Sequence, residues 1–379
     1  MRIGFYAPLK PPDHVAPSGD RRMARLFIQL LRNLGHQVDI LSTLRSYNRD
    51  GDAARETDTA MAAAREVERL GMAWQTDPAT RPDLLFTYHV YHKAADYLGP
   101  ALKQRFRLPY VIAEPSVAPK REHGPWAAGY AQAARAIHAA DALLPITALD
   151  GVCLSAFAGA EKVHAFPPFL DPRPFAAAAT ERERHRATTA QRYGLAPERP
   201  WLLAVGMMRA GDKMASFLRL AEMLALTIDT DWHLLLVGDG PERAAVEQAF
   251  SFAADRVHFA GQLEGGELPG LYAACDLYVW PAINEAYGMA LLEAQAAGLP
   301  VLSVDTRGVP DIVRHGETGW LTADDKPATL AAALSSLLGD AARRHSMAES
   351  AIQHVGTHLS MAAAQRRLQG IFAGLGLPA

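Results

Sequence analysis

Cysteine is nearly absent from this chain of 379 residues, which contains only Cys153 and Cys275. Two cysteines are too few for a disulfide framework or for a thiolate metal site. An excess of positive charge is absent as well, because 38 lysines and arginines face 41 aspartates and glutamates, a formal net charge of −3. This balance argues against a dedicated nucleic-acid-binding protein, which would have a strongly basic domain.

Long apolar runs are also missing. The longest, such as residues 234–237, have the length of a strand, whereas a membrane-spanning helix needs about 18–20 apolar residues. The apolar stretch at residues 3–7 stops at Pro8 and is shorter than the apolar region of about 7–15 residues in a signal peptide. We therefore expect a soluble cytoplasmic protein, peripheral at the inner face of a membrane at most.

What the first half does contain is an alternation of strand and helix patterns. A short apolar run at residues 2–7 is followed by apolar residues at spacings of three and four over 23–34, which predict a helix that Ser18 or Asp20 can cap. Further apolar runs follow at residues 38–41, 83–87, 109–113 and 142–146. Strands separated by helices predict a parallel sheet.

The second half repeats this alternation after a proline cluster at residues 167–174, which predicts a domain junction. Strand patterns recur at residues 201–206, 233–237, 257–260, 277–280 and 300–304, with helix patterns between them and a helical tail over 326–375.

We predict an α/β protein with two doubly wound, Rossmann-like parallel sheets. One domain comprises residues 1–167 with about 358–379, and the other comprises residues 168–357. Ligands of open parallel sheets bind at the carboxyl ends of the strands, so we expect the active site in a central cleft that both domains face.

The most informative segment is residues 281–294, directly after the strand pattern at 277–280. Glu285 lies in the predicted loop, Gly288 opens a helix, and Glu293 falls inside that helix. Free amides at a helix start favour a phosphate, and a glycine lets the ligand approach the backbone. Two carboxylates beside such a site can accept hydrogen bonds from sugar hydroxyls; alternatively, Glu285 caps its helix and Glu293 is a solvated helix residue.

This segment resembles the E-x7-E motif of retaining glycosyltransferases with the GT-B fold, in particular those of family 4, the glycosyl transferases of group 1. The resemblance covers nearly the whole chain. Gly206, Arg209 and Lys213 resemble the element that grips the donor diphosphate, and Asp276 precedes the motif as the family's aspartate does. Further similar segments are the strand and turn at 237–241, the base-binding loop at 261–263, and residues 306–319.

The resemblance implies a role for each matching residue. Glu285 would contact the donor sugar, Glu293 the ribose, and Arg209 and Lys213 the diphosphate leaving group. It also implies retention of the anomeric configuration without a metal ion or other cofactor. The remaining donor-binding positions that it implies are Gly206, Gly238, Gly261, Leu263, Gly288, Met289 and Ala290.

In the first domain, Ser18 and Gly19 resemble the family's glycine-containing phosphate loop and would face the diphosphate or the acceptor, although a plain helix cap explains them equally well. Many members of the family have a histidine after the strand at 110–113, where this chain has Glu114. Glu114 can orient the acceptor hydroxyl, approach the anomeric carbon, or be a structural carboxylate. His89 and His123 are nearby in the sequence and can take the role of the missing histidine.

Two other patterns are expected to be unrelated to function. Asp229 and Asp231 imitate a metal-binding D-x-D motif but precede a strand, which is the wrong end of the sheet for a ligand. The glycines at 238 and 240 lack the third glycine of a dinucleotide fingerprint. We therefore expect neither a metal ion nor a nicotinamide cofactor.

These residues and the resemblance predict transfer of a sugar from a nucleotide-diphosphate donor to a hydroxyl of a glycan, lipid or small-molecule acceptor. Membrane contact is expected only if the acceptor is a lipid, and no nucleic acid is expected as a partner. The alternatives are a nucleotide-sugar epimerase or hydrolase of the same fold and an inactive scaffold that binds nucleotide sugars.

Overall fold

The computed structural model describes residues 1–15, 18–263 and 266–378, and its chain divides into two compact units. Met1–Pro167 and Ala364–Ala379 form the first unit, and Pro168–Ala363 forms the second. Each unit has its own parallel sheet.

The first unit has a five-stranded sheet with the order β2-β1-β3-β4-β5. Its strands are β1 (Arg2–Tyr6), β2 (Gln37–Ser42), β3 (Leu84–Val90), β4 (Tyr110–Pro115) and β5 (Ala142–Leu144). Its helices are α1 (Gly19–Asn33), α2 (Ala53–Thr76), α3 (Gly99–Phe106), α4 (Ala127–Ala139) and α5 (Ala148–Ala158). From β1 the chain places β2 on one side and β3 on the other, so the gap between β1 and β3 is the switch point of this sheet.

Helix α1 confirms the sequence pattern that predicted it. Ser18 is its N-cap, and the Ser18 hydroxyl accepts a hydrogen bond from the amide of Arg21 at 3.2 Å. The residues at spacings of three and four, among them Met23, Phe27 and Leu30, are fully buried. The cap fixes where α1 begins, directly after the loop that follows β1.

The second unit has a six-stranded parallel sheet with the order β11-β10-β9-β6-β7-β8. Its strands are β6 (Trp201–Val205), β7 (His233–Val237), β8 (Val257–Gly261), β9 (Leu277–Val279), β10 (Val301–Val304) and β11 (Gly319–Thr322). The chain adds β7 and β8 on one side of β6 and then returns to add β9, β10 and β11 on the other. The switch point of this sheet therefore lies between β6 and β9.

Nine helices of the described chain lie after the proline cluster. They are α6 (Arg173–Thr180), α7 (Arg182–Tyr193), α8 (Asp212–Ala225), α9 (Arg243–Ala249), α10 (Leu268–Ala274), α11 (Met289–Ala296), α12 (Pro327–Gly339), α13 (Ala341–His354) and α14 (Met361–Gly374). None of the helices in the described ranges is both long enough and apolar enough to cross a membrane.

The chain returns to the first unit at Ala364, later than the position near 358 that the sequence suggested. A π-helical turn, Val355–Leu359, precedes the return. Leu170 explains the delay, because its amide donates to the carbonyl of Leu359 at 3.1 Å and its carbonyl accepts from the amide of Met361 at 2.7 Å. These two bonds hold residues 359–361 in the second unit.

Candidate active site

The Glu285 loop lies at the switch point of the second sheet, between the end of β9 and the start of α11. Ala282 and Asn284 in this loop adopt left-handed backbone conformations with φ of 55° and 52°. Such strain in residues other than glycine costs about 1–3 kcal/mol at each position and concentrates at functional sites. Two such residues flanking Ile283 direct the chain so that Glu285 points back toward α8.

Glu285 is paired with Lys213 across this switch point. Lys213 Nζ donates to Glu285 Oε2 at 2.5 Å, and the two side chains are 21% and 16% exposed. Trp280 donates its indole N–H to the same carboxylate oxygen at 3.2 Å, and Lys213 Nζ lies 5.2 Å from the centre of the Trp280 ring. The structure therefore unites two predicted site residues and adds Trp280, which sequence analysis missed.

Helix α8 anchors the Glu285 loop at two further points. The amide of Ile283 donates to Ser216 Oγ at 3.0 Å, and Asn284 Nδ2 donates to Asp212 Oδ1 at 3.1 Å. Arg307 completes the set with a 3.1 Å bond to Asn284 Oδ1. These contacts fix the loop relative to the first turn of α8, where Lys213 lies.

Glu293 is a buried residue, and its side chain is not solvated. It is 3% exposed on α11, and Tyr272 donates its hydroxyl hydrogen to Glu293 Oε2 at 3.0 Å. The alternative of a solvated helix glutamate is therefore wrong. Glu285 as a helix cap is wrong too, since the N-cap of α11 is Gly288, with a φ of 78°.

Arg209 and the start of α11 present hydrogen-bond donors in the second unit. Arg209 is exposed in the loop after β6, and within the described ranges its guanidinium makes no hydrogen bond or ion pair. Met289 and Ala290 are partly buried in the first turn of α11, where amides have no carbonyl of their own helix to bond.

Four glycines, Gly206, Gly238, Gly240 and Gly261, lie at the ends of β6, β7 and β8, and two of them let the backbone pack closely. Gly238 has a φ of 136°, and a Cβ atom there would lie 1.8 Å from the carbonyl oxygen of Gly206. At Gly240 a Cβ atom would lie 2.2 Å from the carbonyl oxygen of Met208. The amide of Gly238 bonds the carbonyl of Gly261 at 2.8 Å. Leu263, two residues on, packs partly buried against the core of this unit.

In the first unit, the carboxylate that follows the Ser18 cap bonds a histidine across the switch point. His89 Nδ1 lies 3.0 Å from Asp20 Oδ1. His89 is at the end of β3, and Asp20 is in the first turn of α1, the helix that follows β1. Sequence analysis named His89 but not Asp20 as its partner. Ser18 is the N-cap of α1. A Cβ atom placed on Gly19, the first residue of α1, would have no neighbouring atom within 4 Å.

Glu114 lies beside the pair formed by Asp20 and His89. Its Oε1 atom lies 3.7 Å from His89 Nδ1, and its Oε2 atom accepts a 2.7 Å bond from the hydroxyl of Tyr88. Glu114 and His89 both have left-handed backbones, with φ of 54° and 63°. His123, the other histidine considered, is exposed.

The Asp20, His89 and Glu114 side chains shift one another's protonation. Burial lowers the pKa of His89, but the Glu114 carboxylate and the hydrogen bond with Asp20 outweigh it and raise that pKa to about 9. Burial raises the pKa of Glu114, against the opposing effects of His89 and Tyr88. For Asp20, burial is outweighed by the His89 hydrogen bond and charge, and the pKa is lowered. At neutral pH the cluster therefore holds an imidazolium.

Asp276 supports the fold of the second unit. Its Oδ2 atom accepts bonds from the amide of Trp201 at 2.8 Å and from Arg186 at 3.0 Å, while Oδ1 accepts from Arg182 at 2.6 Å. Asp276 thus ties α7 to the beginning of β6.

The two patterns set aside in the sequence lie where they were expected. Asp229 and Asp231 are in the turn before β7, with Asp231 Oδ1 3.4 Å from Arg199. The glycines at 238 and 240 follow β7, an interior strand. Within residues 1–15, 18–263 and 266–378, no three histidine, cysteine, aspartate or glutamate side chains form a group that could hold a metal ion.

Comparison with families of known proteins finds a match within the second unit. Residues 199–340 match the model of the family described as glycosyl transferases group 1. This segment contains the Lys213–Glu285 pair, Glu293 and all four glycines described above.

Curated relatives match part of the chain. A D-inositol 3-phosphate glycosyltransferase of Salinispora arenicola is 35% identical over 208 residues, which are 51% of this chain and 45% of the relative. The sulfoquinovosyl transferase SQD2 of Arabidopsis thaliana is 30% identical over 160 residues, 41% of this chain and 30% of the relative. The matched segments thus span less than half of each relative's length.

Solved structures match the whole chain in fold. Sucrose-phosphate synthase from Thermosynechococcus elongatus has a TM-score of 0.77 at 18% identity, covering 99% of both chains. Anabaena HepE in complex with UDP has a TM-score of 0.76 at 16% identity, covering 99% of this chain and 100% of that one. The two parallel sheets match those of GT-B glycosyltransferase structures, and residues 199–340 are similar to the glycosyl transferases group 1 family.

Proposed function

We propose that this chain is a retaining glycosyltransferase that moves a sugar from a nucleoside-diphosphate donor to an acceptor hydroxyl. The observation that carries the proposal is the Lys213–Glu285 pair, which lies at the switch point of the second sheet within the matched segment. Switch points are where open α/β sheets bind their ligands. A cation and a carboxylate held together there suit a substrate that joins a phosphate to a sugar.

The second unit would hold the donor. Breaking the bond between the anomeric carbon and the phosphate oxygen leaves charge on the departing diphosphate. Arg209, Lys213 and the amides of Met289 and Ala290 would stabilise that charge, since prearranged donors act most strongly where charge develops. Glu285 would accept hydrogen bonds from the donor sugar, and Glu293, held by Tyr272, would recognise the ribose.

The first unit would bind the acceptor. Glu114 would accept a hydrogen bond from the acceptor hydroxyl, with the His89 imidazolium keeping the carboxylate charged and in place. In a same-face reaction the acceptor oxygen forms the new bond to the anomeric carbon, and its proton passes to an oxygen of the departing diphosphate. Such a reaction retains configuration and needs neither a metal ion nor an enzymatic base.

Several similar proteins support a nucleotide-sugar donor. HepE of Anabaena has been solved with UDP-glucose, and the curated relatives include glycosyltransferases acting on D-inositol 3-phosphate. We extend the donor class to this chain and leave the sugar and the base to experiment.

The test is to incubate the purified full chain with UDP-glucose, GDP-mannose or ADP-glucose and a panel of hydroxyl acceptors, and to measure release of the nucleoside diphosphate. We expect release that depends on one donor and on an acceptor, with an unchanged anomeric configuration in the product by NMR. Addition of EDTA should leave the rate unchanged.

The Arg209→Ala variant should lower the rate by about 100-fold or more, the scale on which removal of one transition-state donor acts. Arg184→Ala is the matched control, because Arg184 is an exposed arginine on α7 that pairs with Glu181. Conversion of the donor without an acceptor would indicate an epimerase or hydrolase instead. Nucleotide binding without turnover of any donor would indicate an inactive scaffold.

A further inference from the structure

Two cationic side chains lie against one tryptophan ring in the first unit, outside the residues assigned above, and a third cation is adjacent to one of them in the sequence. Lys93 lies in the loop after β3, and Lys120 and Arg121 lie in a short 3-10 helix, Pro119–Arg121, after β4. Lys93 Nζ is 4.9 Å and Arg121 Cζ is 4.6 Å from the centre of the Trp126 ring. We call Lys93, Lys120, Arg121 and Trp126 the cationic cluster.

The loops that carry the cationic cluster are well fixed. Tyr91 and Ala94 exchange two backbone hydrogen bonds, of 3.3 and 2.9 Å, which form a tight turn around His92 and Lys93. The Trp126 indole N–H bonds the carbonyl of Asn48 at 3.4 Å. The Trp126 ring is therefore held in a fixed position, and cations stack favourably on the face of such a ring.

The positive charge of this cluster is not balanced. Across the described ranges, Lys93, Lys120 and Arg121 have no carboxylate within ion-pair distance. The nearby Glu56 carboxylate is engaged elsewhere, because it accepts from Asn48 Nδ2 at 2.9 Å and from the hydroxyl of Tyr97. Burial, and then the charges of the three cations, lower the pKa of His92 to about 4.

Two buried nitrogen atoms beside this charge have no hydrogen-bond partner among the residues that the structure describes. They are Arg121 Nε and His92 Nε2. The Nε atom of arginine always carries a hydrogen, so it is a donor that must find an acceptor. Most buried polar atoms in proteins do have a partner, and an oxygen-rich anion would supply acceptors for both atoms while balancing the cations.

A series of ring contacts joins this cluster to the Asp20, His89 and Glu114 residues. The rings of His89 and Tyr91 are 5.0 Å apart, those of Tyr91 and His92 are 5.3 Å apart, and those of His92 and Trp126 are 6.0 Å apart. His89 and Glu114 lie at the carboxyl ends of β3 and β4, and the residues of the cationic cluster lie in the segments that follow these two strands.

We infer that the cationic cluster, with His92, binds a phosphoryl group of the acceptor. The inference deepens the proposed function, on which the word acceptor depends. A phosphoryl group matches better than a carboxylate because it carries up to two negative charges and three acceptor oxygens, opposite three cations and two unsatisfied nitrogens. The side chains that hold the donor diphosphate are separate, in the second unit.

A binding experiment on the full chain tests the site without any turnover. Affinity for glycerol 3-phosphate and for inorganic phosphate is measured by calorimetry at low salt, with glycerol as the uncharged comparison. The variant is Lys93→Gln with Arg121→Gln, and the control is Arg65→Gln, which removes an exposed arginine on α2. We expect the wild type and the control to bind glycerol 3-phosphate, and the double variant to bind at least 10-fold more weakly.

A second arm distinguishes a soluble phosphorylated acceptor from a lipid headgroup. Sedimentation is compared with vesicles of phosphatidylcholine alone and of phosphatidylcholine mixed equally with phosphatidic acid. Binding to the mixed vesicles that the double variant loses assigns the site to a lipid, and binding to glycerol 3-phosphate alone assigns it to a soluble acceptor. If the wild type binds none of these probes, or the double variant binds as well as the control, the inference is overturned.

The outcome is separable from that of the proposed function. Phosphate binding that is sensitive to the double variant supports the site even if no donor is turned over. Turnover of unphosphorylated acceptors, with rates equal in the control and the double variant and no preference for phosphorylated ones, overturns the inference and leaves the transferase proposal intact. If the double variant does not fold, as judged by circular dichroism, the exposed Lys120→Gln variant replaces it with the same expected direction.

Discussion

Lys213 Nζ lies 2.5 Å from Glu285 Oε2, although the two residues are 72 positions apart in the chain. The cation assigned to the donor phosphate and the carboxylate assigned to the donor sugar are thus one ion pair. Substitution of either residue removes the charge that its partner faces. We therefore expect the two substitutions to differ in their effect on the affinity for the nucleoside diphosphate.

The Lys213→Met variant should bind the nucleoside diphosphate product about 10-fold or more weakly, because one phosphate-binding cation is lost, a change of about 1.4 kcal/mol. Glu285→Gln should bind the same diphosphate as tightly as the wild type or more tightly, since Lys213 is released from its carboxylate and the product has no sugar. Transfer should nevertheless fall by about 100-fold in Glu285→Gln. Calorimetry and initial rates measure the two effects, and an equal loss of diphosphate affinity in both variants would contradict the assignment.

Glu293 should have a structural and a recognition role that two substitutions separate. Glu293→Ala leaves the buried Tyr272 hydroxyl without this acceptor, which should destabilise the second unit by about 1–3 kcal/mol. Glu293→Gln keeps an acceptor and should unfold near the wild-type temperature. If Glu293 recognises the ribose, the preference for a nucleoside diphosphate over its 2′-deoxy analogue should shrink in Glu293→Gln. An unchanged preference would show that Glu293 does not recognise the ribose and has a structural role only.

The His89 imidazolium should titrate well above neutral pH. Its pKa is raised from 6.5 to about 9 in the folded protein, so its stabilising contribution is fully present below pH 6.5 and disappears as the pH rises through about 9. NMR of the histidine rings should show one signal with this midpoint, absent in His89→Gln and shifted to lower pH in Glu114→Gln. The exposed His123→Gln variant is the control. A His89 midpoint near pH 6.5 would contradict the predicted positive charge on His89.

Gly238→Ala should disrupt the second unit. The added Cβ atom would lie 1.8 Å from the Gly206 carbonyl oxygen in a backbone with a φ of 136°, so we expect destabilisation of at least about 3 kcal/mol and loss of nucleotide binding. The control is Gly339→Ala, because no atom lies within 4 Å of the position where its Cβ would be placed. Thermal unfolding compares the two, and equal melting temperatures would show that the close approach at Gly238 is not needed.

Much of the fold could be predicted because apolar periodicity marks the elements directly. The strand at 233–237 and the helix capped by Ser18 follow from their own residues. β11 was missed because its four residues, Gly319–Thr322, contain a glycine and a threonine and form no apolar run. Helices α6 and α7 were missed. The reason for α7 is that it buries little apolar surface and is rich in charged residues.

The site was predictable where one motif carried it and was not where separate loops meet. Glu285 was found through a local pattern and Lys213 through the resemblance to a family, whereas the Trp280 contact depends on how the loop turns at Ala282 and Asn284. Asparagine is enriched in the left-handed conformation, but alanine is not, so the turn at Ala282 has no clear sequence signal. The bond between Asp20 and His89 joins residues 69 positions apart, a pairing that only the strand order reveals.

Asp276 gives a warning about how inactive variants of this chain should be interpreted. Its carboxylate bonds Trp201, Arg182 and Arg186, and none of these belongs to the proposed donor site. Loss of this carboxylate would remove the side-chain bonds that tie α7 to the beginning of β6. Inactivity of an Asp276 variant would therefore indicate a disturbed fold. Its loss of turnover would say nothing about the chemistry of Glu285 and Glu293.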